Sequence, residues 1–167
     1  MNNIEIERKY VIKLPSTELL RAQSGYTVSE ICQIYVSSAP RVTHRVRSRK
    51  YADKTVFTET KKVRINKISA FEDEREITAE EFENISADIA EGTVPVIKTR
   101  HTFVYNSQTF EIDVYPQWNS TAIMETELEN EEKEVLIPQF IEIVREVTGD
   151  KAYSNASMSR SFPAEIK

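Results

Sequence analysis

Residues 4–12 read Ile4-Glu5-Ile6-Glu7-Arg8-Lys9-Tyr10-Val11-Ile12, an alternating pattern that predicts a β-strand with one apolar and one charged face. The charged face presents Glu5, Glu7 and Lys9, each about 7 Å from the next because side chains on one face recur every second residue. Taken alone, this is a strand with one solvated face. The same design recurs in later strands, so the charged faces are the feature to explain.

Length and composition indicate one globular domain over residues 1–167. Hydrophobic residues make up 40% and charged residues 29% of the chain, which fits a soluble protein. No stretch is long and apolar enough to cross a bilayer, and no signal peptide precedes the first strand. The single cysteine, Cys32, cannot form an intrachain disulfide. We therefore expect a cytoplasmic protein, monomeric or homodimeric, without a membrane partner, and the net charge of −5 argues against nucleic acid as a partner.

Alternation along the chain predicts mostly β structure. Strands are predicted near residues 3–12, 31–37, 41–49, 54–62, 70–78, 94–105, 108–115 and 121–129. Helices are predicted near 16–23, 79–90 and 138–148, with a short helical tail around 154–160; a capping box opens the second helix and Pro138 suits the first turn of the third. Eight strands with few long helices predict an α+β, mainly β fold: an antiparallel barrel or strongly curved sheet.

Like charges share a face in seven of the predicted strands. Besides the first strand, basic faces carry Arg45, Arg47, Arg49, Lys62, Lys98 and Arg100, and acidic faces carry Glu74, Glu76, Glu111, Asp113, Glu125 and Glu127. The charged faces either point to solvent around an apolar core, or line the interior of a barrel whose apolar outside is covered by helices. Solvated faces usually mix signs to limit repulsion between close neighbours, so rows of one sign favour the charged interior.

An interior with carboxylate rows and guanidinium rows has a specific chemical use. Hard divalent cations take carboxylate oxygens as ligands. Arginine and lysine neutralise and orient phosphoryl oxygens. Together the two kinds of row suit a polyphosphate bound with a divalent metal.

The same residues resemble a known family. Glu5-Ile6-Glu7-Arg8-Lys9 is similar to the Glu-x-Glu-x-Lys signature of the CYTH superfamily, the triphosphate tunnel metalloenzymes. The resemblance continues in order through Gln33-Ile34-Tyr35-Val36, Arg45-Val46-Arg47, Glu74-Arg75-Glu76, Lys98-Thr99-Arg100, Glu111-Ile112-Asp113, Glu125-Thr126-Glu127 and the segment 146–155. It therefore covers almost the whole chain.

The resemblance implies an eight-stranded antiparallel closed tunnel with a charged interior, helices packed outside, and a triphosphate held with Mg²⁺ or Mn²⁺. The implied metal ligands are Glu5, Glu7, Glu74, Glu76, Glu111, Asp113, Glu125 and Glu127. The implied phosphate-binding residues are Lys9, Arg45, Arg47, Lys62, Lys98 and Arg100, with Lys98 and Glu7 in catalytic roles. A shift of one residue in the fourth strand would place Lys61 rather than Lys62 in the tunnel.

The expected reaction is hydrolysis of a triphosphate, with inorganic tripolyphosphate as the favoured substrate. No segment forms an obvious pocket for a purine or a thiazolium ring, which favours a bare polyphosphate. A class IV-type adenylyl cyclase, a thiamine triphosphatase and a non-catalytic polyphosphate-binding module remain as alternatives. The paired carboxylates argue against the module, because binding an anion needs only the basic rows.

Overall fold

The fold, described by a computed structural model over residues 3–166, is built from antiparallel strands. The strands are β1 (Ile4–Lys13), β2 (Ser24–Tyr35), β3 (Thr43–Lys50), β4 (Thr55–Arg64), β5 (Ser69–Ile77), β6 (Val96–Tyr105), β7 (Gln108–Val114), β8 (Thr121–Glu127) and β9 (Ile143–Glu146). The helices are α1 (Thr17–Arg21), α2 (Ala79–Ser86) and α3 (Asn155–Met158), and a 3₁₀ turn covers Lys151–Tyr153. Within residues 3–166, no helix combines the length and apolar character needed to cross a membrane.

Eight of the strands close into a barrel. Their order is β5-β4-β3-β2-β6-β7-β8-β1, and β1 returns to pair with β5 through Ile4–Ile6. Every pairing is antiparallel. The predicted eight-stranded closed barrel is therefore confirmed.

The predicted helix at 138–148 is wrong, because part of this segment forms β9. It pairs antiparallel with Tyr10–Ile12 of β1. Since β5 occupies that edge of β1 only as far as Ile6, the backbone groups beyond it need another partner, and β9 supplies one. The β-branched Ile143 and Val144 also suit a strand.

Other predicted boundaries differ less. The second strand begins at Ser24 rather than near residue 31, and α2 ends at Ser86 rather than near residue 90. The capping box of α2 is present: the Glu81 amide donates to the Thr78 hydroxyl at 3.1 Å, and the Thr78 amide donates to the Glu81 carboxylate at 2.8 Å. These reciprocal bonds satisfy two amides at the helix N-terminus.

Two apolar cores lie on opposite sides of the barrel wall. The outer core joins the outward faces of β1, β6, β7 and β8 to α1 and consists of Tyr10, Ile12, Leu20, Phe103, Phe110, Ile112, Ala122, Met124 and Ile141. The inner core fills one end of the barrel with Val11, Tyr35, Val96, Tyr115, Trp118, Ile123, Val147, Tyr153 and Met158. The interior is therefore apolar at one end and charged along the rest.

The helices occupy different positions. On the outside, α2 packs through Phe82 against Phe57 of β4, with ring centroids 5.2 Å apart. α1 contributes Leu20 to the outer core, so both helices confirm the expected outer packing. α3 lies instead against the end of the barrel, where Met158 joins the inner core.

Candidate active site

A cavity of about 690 Å³ occupies the charged part of the barrel. Inward-facing side chains of the strands form most of its wall, and the segment 147–157 and the turn between β4 and β5, through Asn66 and Lys67, contribute the rest. The structure brings together here most residues predicted from the sequence: Glu5, Glu7, Lys9, Arg45, Arg47, Lys62, Glu74, Arg100, Glu111, Glu125 and Glu127. Lys62, not Lys61, faces the cavity, since Lys61 is exposed on the other side of β4.

Three predicted residues lie away from the cavity wall. Lys98 and Asp113 are deeper, with 0% of either side chain exposed and 2.7 Å between Nζ and Oδ2. Glu76 is an exposed residue near the end of β5, paired with Thr58. The structure therefore places these three outside the set that a ligand in the cavity would touch directly.

Three arginines of β3 enter the cavity without carboxylate partners. Within residues 3–166, none of Arg45, Arg47 and Arg49 forms an ion pair; we call them the unpaired arginine row. Arg47 donates from Nε and Nη2 to Oε1 of Gln33, at 3.0 and 2.7 Å. The buried Nε of Arg45 makes no hydrogen bond in the described part of the chain. Arg49 donates from Nε to the Ser29 hydroxyl at 2.8 Å. The row therefore carries positive charge that neutral side chains orient and that no ion pair within residues 3–166 neutralises.

Positive charges crowd the middle of this row. Burial, with the nearby charges of Arg45 and Arg100, lowers the pKa of Arg47 to about 9. Since a guanidinium keeps its proton in proteins, the direction of this shift reflects burial first and then an excess of positive charge from the two neighbouring guanidinium groups, which outweighs the charge of Glu74. A bound anion would remove that imbalance.

A second set of charges, on β6, β7 and β8, is linked by ion pairs; we call Lys98, Arg100, Glu111, Asp113 and Glu125 the paired network. Arg100 donates from Nε and Nη2 to the two oxygens of Asp113, at 2.7 and 2.8 Å. Its Nη1 donates to Glu111 at 2.7 Å, and its Nη2 lies 3.6 Å from Glu125. Although burial opposes it, the charges of Arg100 and Lys98 hold the pKa of Asp113 well below its usual range.

Two carboxylates at the other side of the cavity have no cation of their own. Glu7 and Glu127 are direct partners on β1 and β8, and within residues 3–166 neither forms an ion pair. Burial and the charge of Glu125 raise the pKa of Glu7, and burial and the charge of Glu5 raise that of Glu127. We call Glu7 and Glu127 the unpaired carboxylates.

The chain resembles solved structures, although no family model and no curated protein matches its sequence. Among solved structures, the inorganic triphosphatase NE1496 matches 96% of this chain and 97% of its own, with a TM-score of 0.59 and 25% identity. The chain has the CYTH-like triphosphate tunnel fold.

Two further solved structures resemble the chain less closely. The PH1819 protein from Pyrococcus horikoshii OT3 covers 76% of this chain and 80% of its own, with a TM-score of 0.54 and 21% identity. The putative adenylyl cyclase HpAC1 from Hippeastrum, described as having a dominant triphosphatase activity, covers 75% and 80%, with a TM-score of 0.52 and 15% identity. At these identities the likeness concerns the fold.

Two lysines of the cavity wall form ion pairs with glutamates on other strands. Lys9 Nζ lies 3.4 Å from Glu125 and donates to the Tyr153 carbonyl at 3.3 Å. Lys62 Nζ lies 2.6 Å from Glu5 and 3.3 Å from Glu72. Both ammonium groups therefore already have acidic partners, in contrast to the unpaired arginine row.

Metal coordination would need side chains to adjust. Within residues 3–166, no three acidic, histidine or cysteine side chains converge closely enough to hold one ion. The donor set itself is suitable, because the unpaired carboxylates lie directly opposite each other on neighbouring strands and carry no compensating charge.

The tunnel also contains residues that were not assigned a role from the sequence. They are Tyr35, Arg49, Arg64, Lys67, Glu72, Asp150, Lys151, Ser154, Asn155 and Ser157, among others. Alternation had already placed Arg49 on the same basic face as Arg45 and Arg47, but no binding role was assigned to it. The residues from the C-terminal segment had no such signal, because their position depends on β9 and on Val147, whose amide donates to the Lys9 carbonyl at 2.8 Å.

Proposed function

We propose that this protein hydrolyses inorganic tripolyphosphate to diphosphate and phosphate inside the tunnel, and that it requires Mg²⁺ or Mn²⁺. The observation that supports this most strongly is the separation of two unbalanced charge sets around one cavity, the unpaired arginine row and the unpaired carboxylates. A polyanion accompanied by a divalent cation would balance both. An anion alone would leave the carboxylates uncompensated.

The unpaired carboxylates, Glu7 and Glu127, would bind the metal. Glu5 and Glu125 flank them on the same strands and, with Glu111 on β7, would be further metal ligands among the eight predicted from the sequence. The bound cation would neutralise the phosphate chain and polarise a phosphoryl oxygen.

The basic side chains would hold the substrate in position. Arg45 and Arg47 would donate to phosphoryl oxygens on one side, and Lys9 and Lys62 would contribute charge beside the carboxylates. As the bond to the terminal phosphorus breaks, negative charge accumulates on the leaving diphosphate. The fixed guanidinium groups stabilise that charge without having to reorganise, which lowers the barrier.

A catalytic role for Lys98 stays a prediction. Burial lowers its pKa to about 7, which suits a group that accepts a proton at neutral pH. Its Nζ contacts Asp113 rather than the cavity. A direct role would therefore require this ion pair to open, whereas Arg100 already reaches the tunnel wall.

Inorganic tripolyphosphate is the preferred candidate substrate for two reasons. The solved structure that resembles nearly the whole chain is described as an inorganic triphosphatase. In addition, a bare triphosphate carries extra charge at the end where a nucleotide carries its ribose, and an uncompensated arginine row gains most from the more highly charged anion.

The test is product analysis with three substrates. Purified protein is incubated with tripolyphosphate, ATP or thiamine triphosphate, with Mg²⁺, with Mn²⁺ or with excess chelator, and the products are separated by chromatography. We expect the highest kcat/KM for tripolyphosphate, no cyclic AMP, and no turnover in chelator. Glu7→Gln should remove most of the turnover, whereas Glu80→Gln, an exposed residue of α2, should not.

Other products would redirect the assignment. Cyclic AMP from ATP would replace hydrolysis by the cyclase reaction, and preference for thiamine triphosphate would change the substrate but keep the mechanism. Tight binding of tripolyphosphate without turnover under any of these conditions would indicate a binding module and contradict the proposed function.

A further inference from the structure

A buried amide stands behind the unpaired arginine row. Gln33 of β2 has 0% exposure, and both ends of its amide contact residues that line the cavity. Its Oε1 accepts the two hydrogen bonds from Arg47, and its Nε2 donates to the Tyr35 hydroxyl at 3.2 Å. Gln33 therefore links two cavity residues without reaching the cavity itself.

The chemistry of these groups fixes the direction of each bond. A guanidinium can only donate, so the amide oxygen of Gln33 must face Arg47 and its nitrogen must face Tyr35. Because an amide nitrogen also only donates, the Tyr35 oxygen must accept. The proton of that hydroxyl is then left over, and within residues 3–166 it is donated to no acceptor. Tyr35 lines the cavity, where an anion would accept the proton.

Neutrality of the amide is as important as its geometry. Asp113 accepts from Nε and Nη2 of Arg100, and Gln33 accepts from the same two nitrogens of Arg47. The carboxylate compensates the charge of its arginine, whereas the amide orients its arginine and leaves the charge available. A carboxylate at position 33 would form an ion pair with Arg47 and so neutralise the charge that an anionic ligand needs.

We propose that Gln33 is a positioning residue that presents the Arg47 guanidinium and the Tyr35 O–H together to a phosphoryl group of the substrate, and that Tyr35 is a substrate-binding residue. The inference rests on the proposed function and deepens it. It identifies which part of the wall recognises the polyphosphate chain through both charge and a neutral donor.

The test compares Gln33→Glu with Gln139→Glu, the same change at an exposed position outside the cavity. Pairing Arg47 with a carboxylate should raise KM for tripolyphosphate about tenfold, as expected for one charge-assisted hydrogen bond. We expect kcat to change less than about threefold and the melting temperature to stay the same or rise, since the new pair is a favourable contact. A residue with a purely structural role would lower the melting temperature and leave KM unchanged.

A second variant tests the neutral donor independently. Tyr35→Phe keeps the ring in the inner core and removes the hydroxyl, so KM should rise about threefold to tenfold. If Gln33→Glu does not fold, this variant decides the proposal. An unchanged KM in Tyr35→Phe, or in a folded Gln33→Glu, would overturn it while the proposed function stands.

Failure of the proposed function would give a different result. In that case the wild type would turn over no triphosphate, and affinity for tripolyphosphate in chelator would be measured by calorimetry. An affinity weakened about tenfold in Gln33→Glu, but not in Gln139→Glu, would still support the positioning role. Equal affinities, or no binding by the wild type, would overturn it.

Discussion

The paired network and the unpaired arginine row lie in the same tunnel, but they differ in whether the arginines form ion pairs with carboxylates. Arg100 contacts three carboxylates, whereas Arg45, Arg47 and Arg49 contact none within residues 3–166. A buried charge needs compensation. In the paired network the protein supplies it, so those ions hold β6, β7 and β8 together. In the row it must come from outside, so those ions are available to a ligand.

The comparison assigns stability to one wall of the tunnel and binding to the other. Removing Asp113, the fully buried carboxylate of the paired network, should mainly destabilise the protein. Removing a member of the row should mainly reduce affinity and turnover; for Arg47, whose pKa is lowered by burial and by the charges of Arg45 and Arg100, it should also relieve repulsion between cations.

The largest expected effect is that of Asp113→Asn on stability. A neutral amide leaves the buried charges of Lys98 and Arg100 without their shared partner, and breaking such a pair costs about 3 kcal/mol or more. Urea unfolding would show the loss. Asp73→Asn on the exposed face of β5 is the matched control; equal stability of the two variants would contradict the structural role of the network.

The second effect is that of Arg45→Gln on activity. Losing one charged donor to the substrate should remove about 2 kcal/mol of transition-state stabilisation, which is about a 30-fold decrease in kcat/KM. The free energy of unfolding should fall less than in Asp113→Asn, because Arg45 has no ion pair to lose within residues 3–166, although Tyr35 and the charges of Glu72 and Glu74 raise its pKa against the effect of burial. Arg75→Gln, on the outer face and paired with Glu59 at 2.6 Å, should leave kcat/KM unchanged. A destabilised but fully active Arg45→Gln would contradict the assignment of the unpaired arginine row to binding rather than to stability.

A smaller effect is expected for Glu7→Gln on the metal-free protein. Burial and the charge of Glu125 raise the pKa of Glu7, so the folded state disfavours the charged form present at neutral pH. Removing that charge should raise the free energy of unfolding in chelator. Thermal unfolding of both proteins with and without Mn²⁺ would measure it. Loss of stability in the variant would show that Glu7 is compensated after all.

The smallest effect concerns pH. Because the pKa values of Glu7 and Glu127 are raised, protons should compete with a metal above the usual range of a carboxylate. The increase in melting temperature caused by Mg²⁺ or Mn²⁺ should therefore begin to shrink at a higher pH than it would for carboxylates with ordinary pKa values. In the metal-free protein, the protonated forms of Glu7 and Glu127 are favoured in the folded state. The contribution of these two groups to the free energy of unfolding therefore increases as pH falls through their pKa values.

Glu125 provides the contrast within the same experiment. Burial opposes the shift, but the charge of Lys9 helps lower its pKa to about 2. Its contribution to stability is present above the pKa of a free glutamate and is lost as pH falls towards about 2. For Glu7 and Glu127, the outcome that would contradict a role in metal binding is an increase in melting temperature by Mg²⁺ or Mn²⁺ that stays constant down to pH 4.5.

Much of the tunnel could be predicted from alternation alone. Arg45 and Arg47, or Glu125 and Glu127, share a face whatever the rest of the fold does, because a strand has a period of two residues. Rows of like charge then indicated an interior position. The inner core was less visible, since Val11 and Ile123 continue the same faces as Lys9 and Glu125 and only the closed barrel shows that they fill its end.

The sequence by itself determined which side chains share a face of each strand, and its rows of like charge indicated an interior position, while closure of the barrel was implied by the family resemblance. Only the tertiary structure decided which charges are compensated. Lys98 and Arg100 share a face, as do Arg45 and Arg47, so periodicity treats the two pairs alike. The difference arises because β7 places Asp113 beside Arg100 while β2 places Gln33 beside Arg47. Likewise, β9 forms where β5 leaves an edge of β1 open. Such pairings depend on which strands become neighbours, and local alternation carries no information about that.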